Sequence, residues 1–169
     1  MIALISCGKT EKEFDEQLLQ ARITKAVVMI YNATIHDAVL EAWHDAIFNN
    51  KTPSGRYTKD FNDALEEVKD SMDKYGFRDS LNTLNERLLN MTANLNPPPS
   101  SRKECYDEFV EMVSDVSNLT RKVVSISGSY KSYSEETGEL FDDISQKDDK
   151  FKIKYGNILL KADNSPSNK

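Results

Sequence analysis

Apolar residues recur along this chain at intervals of three and four through three long stretches, the spacing that puts them on one face of an α-helix. The first stretch runs over about residues 11–49, with Leu19, Ile23, Ala26, Ile30, Ala33, Leu40 and Ile47 in phase and Asp37 and His44 interrupting. Between Ala26 and Tyr31 the chain is apolar all round, which predicts that the middle of this helix is its most buried part. The second covers about residues 58–95. Its seam of Phe61, Leu65, Val68, Met72 and Tyr75 gives way to a second seam of Phe77, Leu81, Leu84, Leu88, Met91 and Leu95. Gly76 sits at the phase break, and glycine weakens a helix interior by about 1 kcal/mol, so a kink or short interruption is expected there.

The third stretch is the most sustained. Cys105, Phe109, Met112, Val116, Leu119, Val123, Ile126, Tyr130, Tyr133, Thr137, Leu140 and Ile144 keep a strict alternation of four and three, and Phe151, Tyr155 and Ile158 hold the phase. This reads as one helix over residues 101–147 or longer, with a break near Gly156 the expected end if it continues, packing in the manner of a coiled coil. Within it, Ser125 to Ser134 is small and hydroxyl-rich, which suits close helix approach.

The segments are joined by Asn49 to Gly55 and by Asn96-Pro97-Pro98-Pro99, where three prolines cannot continue a helix. Short connections force neighbours antiparallel. The expected fold is therefore all-α, an elongated antiparallel three-helix bundle over residues 11–160, followed by a disordered tail over 161–169.

Charge narrows the function. The chain carries 22 basic and 28 acidic residues, a net charge of -6, so no nucleic-acid partner is expected. A mean hydropathy of -0.60 suits helices that bury one stripe and solvate the rest.

Candidate chemistry is sparse. Both histidines fall in the first helix, and Glu41-Ala42-Trp43-His44 has the Glu-x-x-His spacing that carries ligands in di-metal bundles. A second such pair is missing, which leaves Asp37, Glu41 and His44 as weak candidates for a mononuclear metal site; a solvated face is the plainer reading. No nucleophile–base arrangement can be assigned, so no catalytic residue and no cofactor is expected. Cys105 holds a seam position and reads as a buried thiol.

Leu4-Ile5-Ser6-Cys7 resembles the lipobox of bacterial lipoproteins, where a leucine, two small or aliphatic residues and a cysteine close a secretory signal. The resemblance covers those residues only and implies cleavage before Cys7 with lipid on its thiol and new amino terminus. Six residues precede Cys7 and none is basic, so residues 1–10 read as a truncated signal followed by a charged tether. The expectation is a non-enzymatic helical lipoprotein at the bacterial cell envelope, membrane-held through Cys7, that binds another protein in an entry-blocking, immunity or scaffold role, with room for a homo-oligomer. The alternative is a cytoplasmic coiled-coil adaptor or oligomerisation module. Which surface meets the partner is not legible at this level.

Overall fold

The computed structural model describes residues 9–163. Its elements are α1 (Glu11–His44), α2 (Phe61–Lys74), α3 (Phe77–Ala93), α4 (Lys103–Val124) and α5 (Tyr130–Asp163). A π-helical turn, Asp45–Asn49, ends α1, and the isolated bridge Lys51–Tyr57 closes the loop that follows. The fold is all-helical, with the helices packed on one another.

Helix α1 starts where its sequence provides a reciprocal cap. The Glu13 backbone N–H donates to Thr10 Oγ1 at 3.2 Å, and Glu13 Oε2 accepts from the Thr10 N–H at 2.9 Å. The buried seam of α1 is Phe14, Leu18, Ala21, Lys25, Val28, Asn32, Ile35, Val39 and Ala42. This corrects the expected seam of Leu19, Ile23, Ala26, Ile30, Ala33, Leu40 and Ile47, which turns away from the core or lies at its margin. Two stripes with the same alternation of four and three run along this helix. The one facing the core contains a lysine and an asparagine, and so looked the less apolar.

Both polar members of that seam have partners. Asn32 Nδ2 donates to Thr120 Oγ1 at 2.9 Å, and Lys25 Nζ donates to Asp148 at 2.6 Å and to Met112 Sδ at 3.3 Å. Burial without such partners would cost several kcal/mol.

Side-chain pairs fix the helix directions. Asp15 with Arg102, Lys25 with Met112 and Asn32 with Thr120 run α1 parallel to α4. Thr24 with Met91 and Tyr31 with Phe77 run α3 antiparallel to α1. Arg22 with Asp148 and Trp43 with Tyr130 do the same for α5. The α4–α5 pair is bridged by Lys154 to Glu104 and Glu108, by Lys147 to Glu111 and Asp115, and by Lys122 to Glu136. With α2 and α3 taken as one interrupted column, the order is up, down, up, down.

The expected three-helix bundle is thus corrected to four columns, because the third segment is two helices. It folds back at Ser125 to Ser129, where Gly128 takes φ +89 and a Cβ would sit 2.8 Å from Ser132 Oγ. Ser129 and Ser132 then cap α5 reciprocally, each backbone N–H donating to the other's Oγ at 3.0 and 3.1 Å. The hydroxyl-rich stretch is the turn and the first residues of α5, not the middle of a helix. The heptad phase survives the turn because both arms of the hairpin face one core: Cys105, Phe109, Met112, Val116, Leu119 and Val123 are buried in α4, and Tyr133, Thr137, Ile144, Phe151 and Tyr155 in α5. Helix α5 passes Gly156 without a break and includes residues 161–163, first assigned to the tail; 164–169 lie outside the described residues. The interruption at Gly76 is present, with φ +68, but Tyr75 of the expected seams is largely exposed and Phe61 and Phe77 are partly so.

Candidate protein-docking surface

Helix α1 touches every other helix and still leaves one face open. On that face Ile23 is 51% and Ile30 is 64% exposed, Ala26 is exposed between them, and Leu19, Val27 and Met29 are half-buried. Single exposed aliphatic residues are ordinary, but a contiguous apolar run on one helix face is the pattern of an interaction surface. Along its length, from Leu19 to Ile30, this stripe lines a hollow of about 500 Å³ between α1 and α5, with Ile144 on the α5 side. Farther along α1, beyond this stripe, lies a groove of about 350 Å³ between α1 and α2, lined in part by Thr34, Ala38, Val68, Met72 and Phe77.

The hollow and the groove differ in the charged residues that line them. Around the α1–α5 hollow, Asp148 receives Arg22 at 3.1 Å, Lys25 at 2.6 Å and Lys152 at 2.8 Å. Burial alone would push the Asp148 carboxyl up, but hydrogen bonds from Lys152 and Lys25 and the charges of Lys25 and Arg22 outweigh it and bring it down to about 2. Burial acts in the opposite sense on Lys25, which is held below the usual lysine range despite its bond to Asp148. The groove between α1 and α2 is lined instead by the carboxylates Glu41, Asp45 and Glu67. Glu67 accepts from the Ser54 backbone and from Arg56, which ties the loop to α2.

The weak metal candidates do not form a site. Asp37, Glu41 and His44 are all exposed, and the histidines turn to neighbours instead, His36 Nδ1 to Asp37 at 3.2 Å and His44 Nδ1 to Asp45 at 3.5 Å. Among the described residues no group of three or more His, Cys, Asp or Glu side chains gathers as metal ligands. The Glu-x-x-His spacing shares a helix face, but Glu41 and His44 are both exposed there, and the α2 carboxylate that lines the same groove as Glu41, Glu67, is engaged by Ser54 and Arg56.

Cys105 is buried, and desolvation, with the Asp15 charge adding to it, pushes its thiol up to about 12. Such a thiol is a packing group rather than a nucleophile. Cys7, the expected lipidation position, lies outside the described residues. Among those described, no helix is long and apolar enough to cross a membrane.

The apolar residues of this open face are legible in the sequence, but their spacing places them in the core. Leu19, Ile23, Ala26 and Ile30 form a stripe that the spacing alone predicts as the core seam. The missing signal was the second stripe beside it, from Phe14 through Val28 to Ala42, which begins and ends on large or small apolar residues and tolerates Lys25 and Asn32 only because α4 and α5 supply their partners. No family model, curated protein or solved structure matches the chain.

Proposed function

We propose that this is a non-enzymatic, lipid-anchored helical protein of the bacterial envelope that acts by contact with protein through the open face of α1. The observation that carries the reading is the outward run from Leu19 to Ile30 beside a fully formed core. A helix with a complete buried seam has no folding use for a second apolar stripe, and exposing one costs solubility unless something covers it. The lipobox-like Leu4-Ile5-Ser6-Cys7 supports the anchor, and the start of α1 at Glu11 leaves a short tether between lipid and bundle. The antiparallel seam shared by α4 and α5 packs knobs into holes in this reading, holding α1 as a rigid platform.

A cytoplasmic adaptor or oligomerisation module is the second reading, and the same face favours it equally if Cys7 carries no lipid. The long heptad of the third segment is absent from that argument, since the chain uses it internally.

Expression from the native upstream region with palmitate labelling tests the anchor. Label on the wild type that is lost in Cys7→Ser is the expected result; unlabelled wild type removes the envelope reading. A photo-crosslinking residue at position 30 tests the surface. Protein adducts should form there and not at position 131, an exposed α5 site. Equal yields at both positions would show that the α1 face is not a docking surface.

A further inference from the structure

We propose that the groove between α1 and α2 binds a small organic cation, a compact apolar body carrying one ammonium or guanidinium group. The groove lies beyond the open stripe of α1, so the proposal goes beyond the docking reading and does not depend on it. Its warrant is an apolar cleft of ligand size whose lining charges are all carboxylates.

Small side chains make the cleft. Thr34, Ala38 and Ala42 follow one another at a spacing of four on α1, and Ser71 lines the groove from α2, so the two helices meet without filling the space between them. Ile35 and Met72, both buried, line it as well, and Phe77, 39% exposed, adds an aromatic ring. Its volume of about 350 Å³ falls at the lower end of the roughly 300–1,000 Å³ of small-molecule pockets, which suits a compact ligand rather than a helix.

Glu41 and Asp45, one turn apart on α1, and Glu67 of α2 line this groove, and no lysine, arginine or histidine does. Glu67 is already compensated by Arg56 at 3.3 Å, so the preference for a cation falls to the α1 pair. Asp45 accepts from Asn49 Nδ2 at 2.8 Å and lies 3.5 Å from His44 Nδ1. Glu41 is exposed, and among the described residues neither it nor Asp45 is paired with a lysine or arginine. A monocation with its apolar body in the cleft would bring its charge to these two carboxylates, whereas an anion of the same shape would be repelled by them. Because the pair is in contact with water, the gain over a neutral ligand should be modest, about tenfold in affinity.

Titration of the full chain with phenylpropylamine, followed by amide chemical shifts, tests this, with phenylpropanol and phenylpropanoate as neutral and anionic counterparts of similar shape. The amine should shift the amides of Thr34, Ala38, Val68 and Met72 saturably and bind about tenfold more tightly than the alcohol. The acid should bind more weakly than either. Glu41→Gln should weaken the amine several-fold and the alcohol not at all, with circular dichroism unchanged because Glu41 is exposed. Ala38→Leu, which fills the groove from an exposed position on α1, should abolish binding of amine and alcohol alike. Absence of saturable shifts at these residues overturns the proposal, as does equal binding of amine and alcohol, or a preference for the amine that survives Glu41→Gln combined with Asp45→Asn. Palmitate labelling and crosslinking at position 30 read the docking account separately, so either can fail without the other.

Discussion

Asp148→Asn should lower the stability of the fold by about 3 kcal/mol at pH 7, the typical cost of removing one partner from a buried ionic group. The Asp148 carboxylate is the shared acceptor for Arg22, Lys25 and Lys152, and Lys25, 5% exposed, pairs with no other carboxylate among the described residues. An asparagine keeps the shape but leaves two largely buried cations uncompensated. The effect has a pH signature. With its folded pKa depressed from 3.8 to about 2, Asp148 contributes stability that is fully present above the unfolded value and is lost as pH falls through the folded one. The wild type should lose about 2 kcal/mol on this account between pH 5 and pH 1, and Asp148→Asn should lack that part of the acid sensitivity. Lys25→Met should behave differently, within about 1 kcal/mol of wild type, because it removes a buried charge and leaves Asp148 with Arg22 and Lys152. Urea unfolding of the three proteins at several pH values measures both effects; equal losses in Asp148→Asn and Lys25→Met would refute the asymmetry.

The second large effect is on the central seam. Leu119→Asp places a charge at a fully buried position in α4; Lys122, three residues on, is already engaged by Glu136, and Lys147 by Glu111 and Asp115. Loss of the leucine packing and burial of an unpaired carboxylate together should cost about 4 kcal/mol or more, enough to unfold many domains of this size. The variant should show a collapsed melting transition by circular dichroism. An unchanged melting temperature would mean that α4 does not pack through this seam.

How much of this was legible in the sequence differs from element to element. The α4 seam from Cys105 to Val123 and the α5 seam from Tyr133 to Tyr155 were readable because each is almost purely apolar and strictly spaced. Their separation into two helices was not, because Ile126 and Tyr130 stay in phase across the turn. The local chemistry there, serines around a glycine that takes φ +89, is the part of the pattern that periodicity ignores. Gly76 was interpretable since it coincides with a phase shift, whereas Gly128 does not. In α1 the two stripes are nearly equal in hydrophobicity, and only tertiary partners decide between them: Asp148 for Lys25 and Thr120 for Asn32. A lysine at a core position lowers the apparent hydrophobicity of the true seam. Its exposed rival, carrying Ile23 and Ile30, gained in apparent hydrophobicity by comparison, and that is why the candidate surface was mistaken for core. The Glu-x-x-His spacing misled for a related reason. It guarantees a shared helix face but says nothing of whether another helix faces it.

The account turns on the claim that α1 carries two stripes with different work, one folding the chain and one meeting protein. The most direct test is the thermal melting of Val28→Glu beside Ile30→Glu, each at the lowest concentration the signal allows so that association does not contribute. Val28 is fully buried and Ile30 is largely exposed. Val28→Glu should melt many degrees below wild type or fail to fold, and Ile30→Glu should melt with wild type. The reverse order, or equal losses in both, would put the Ile30 stripe in the core and contradict the account.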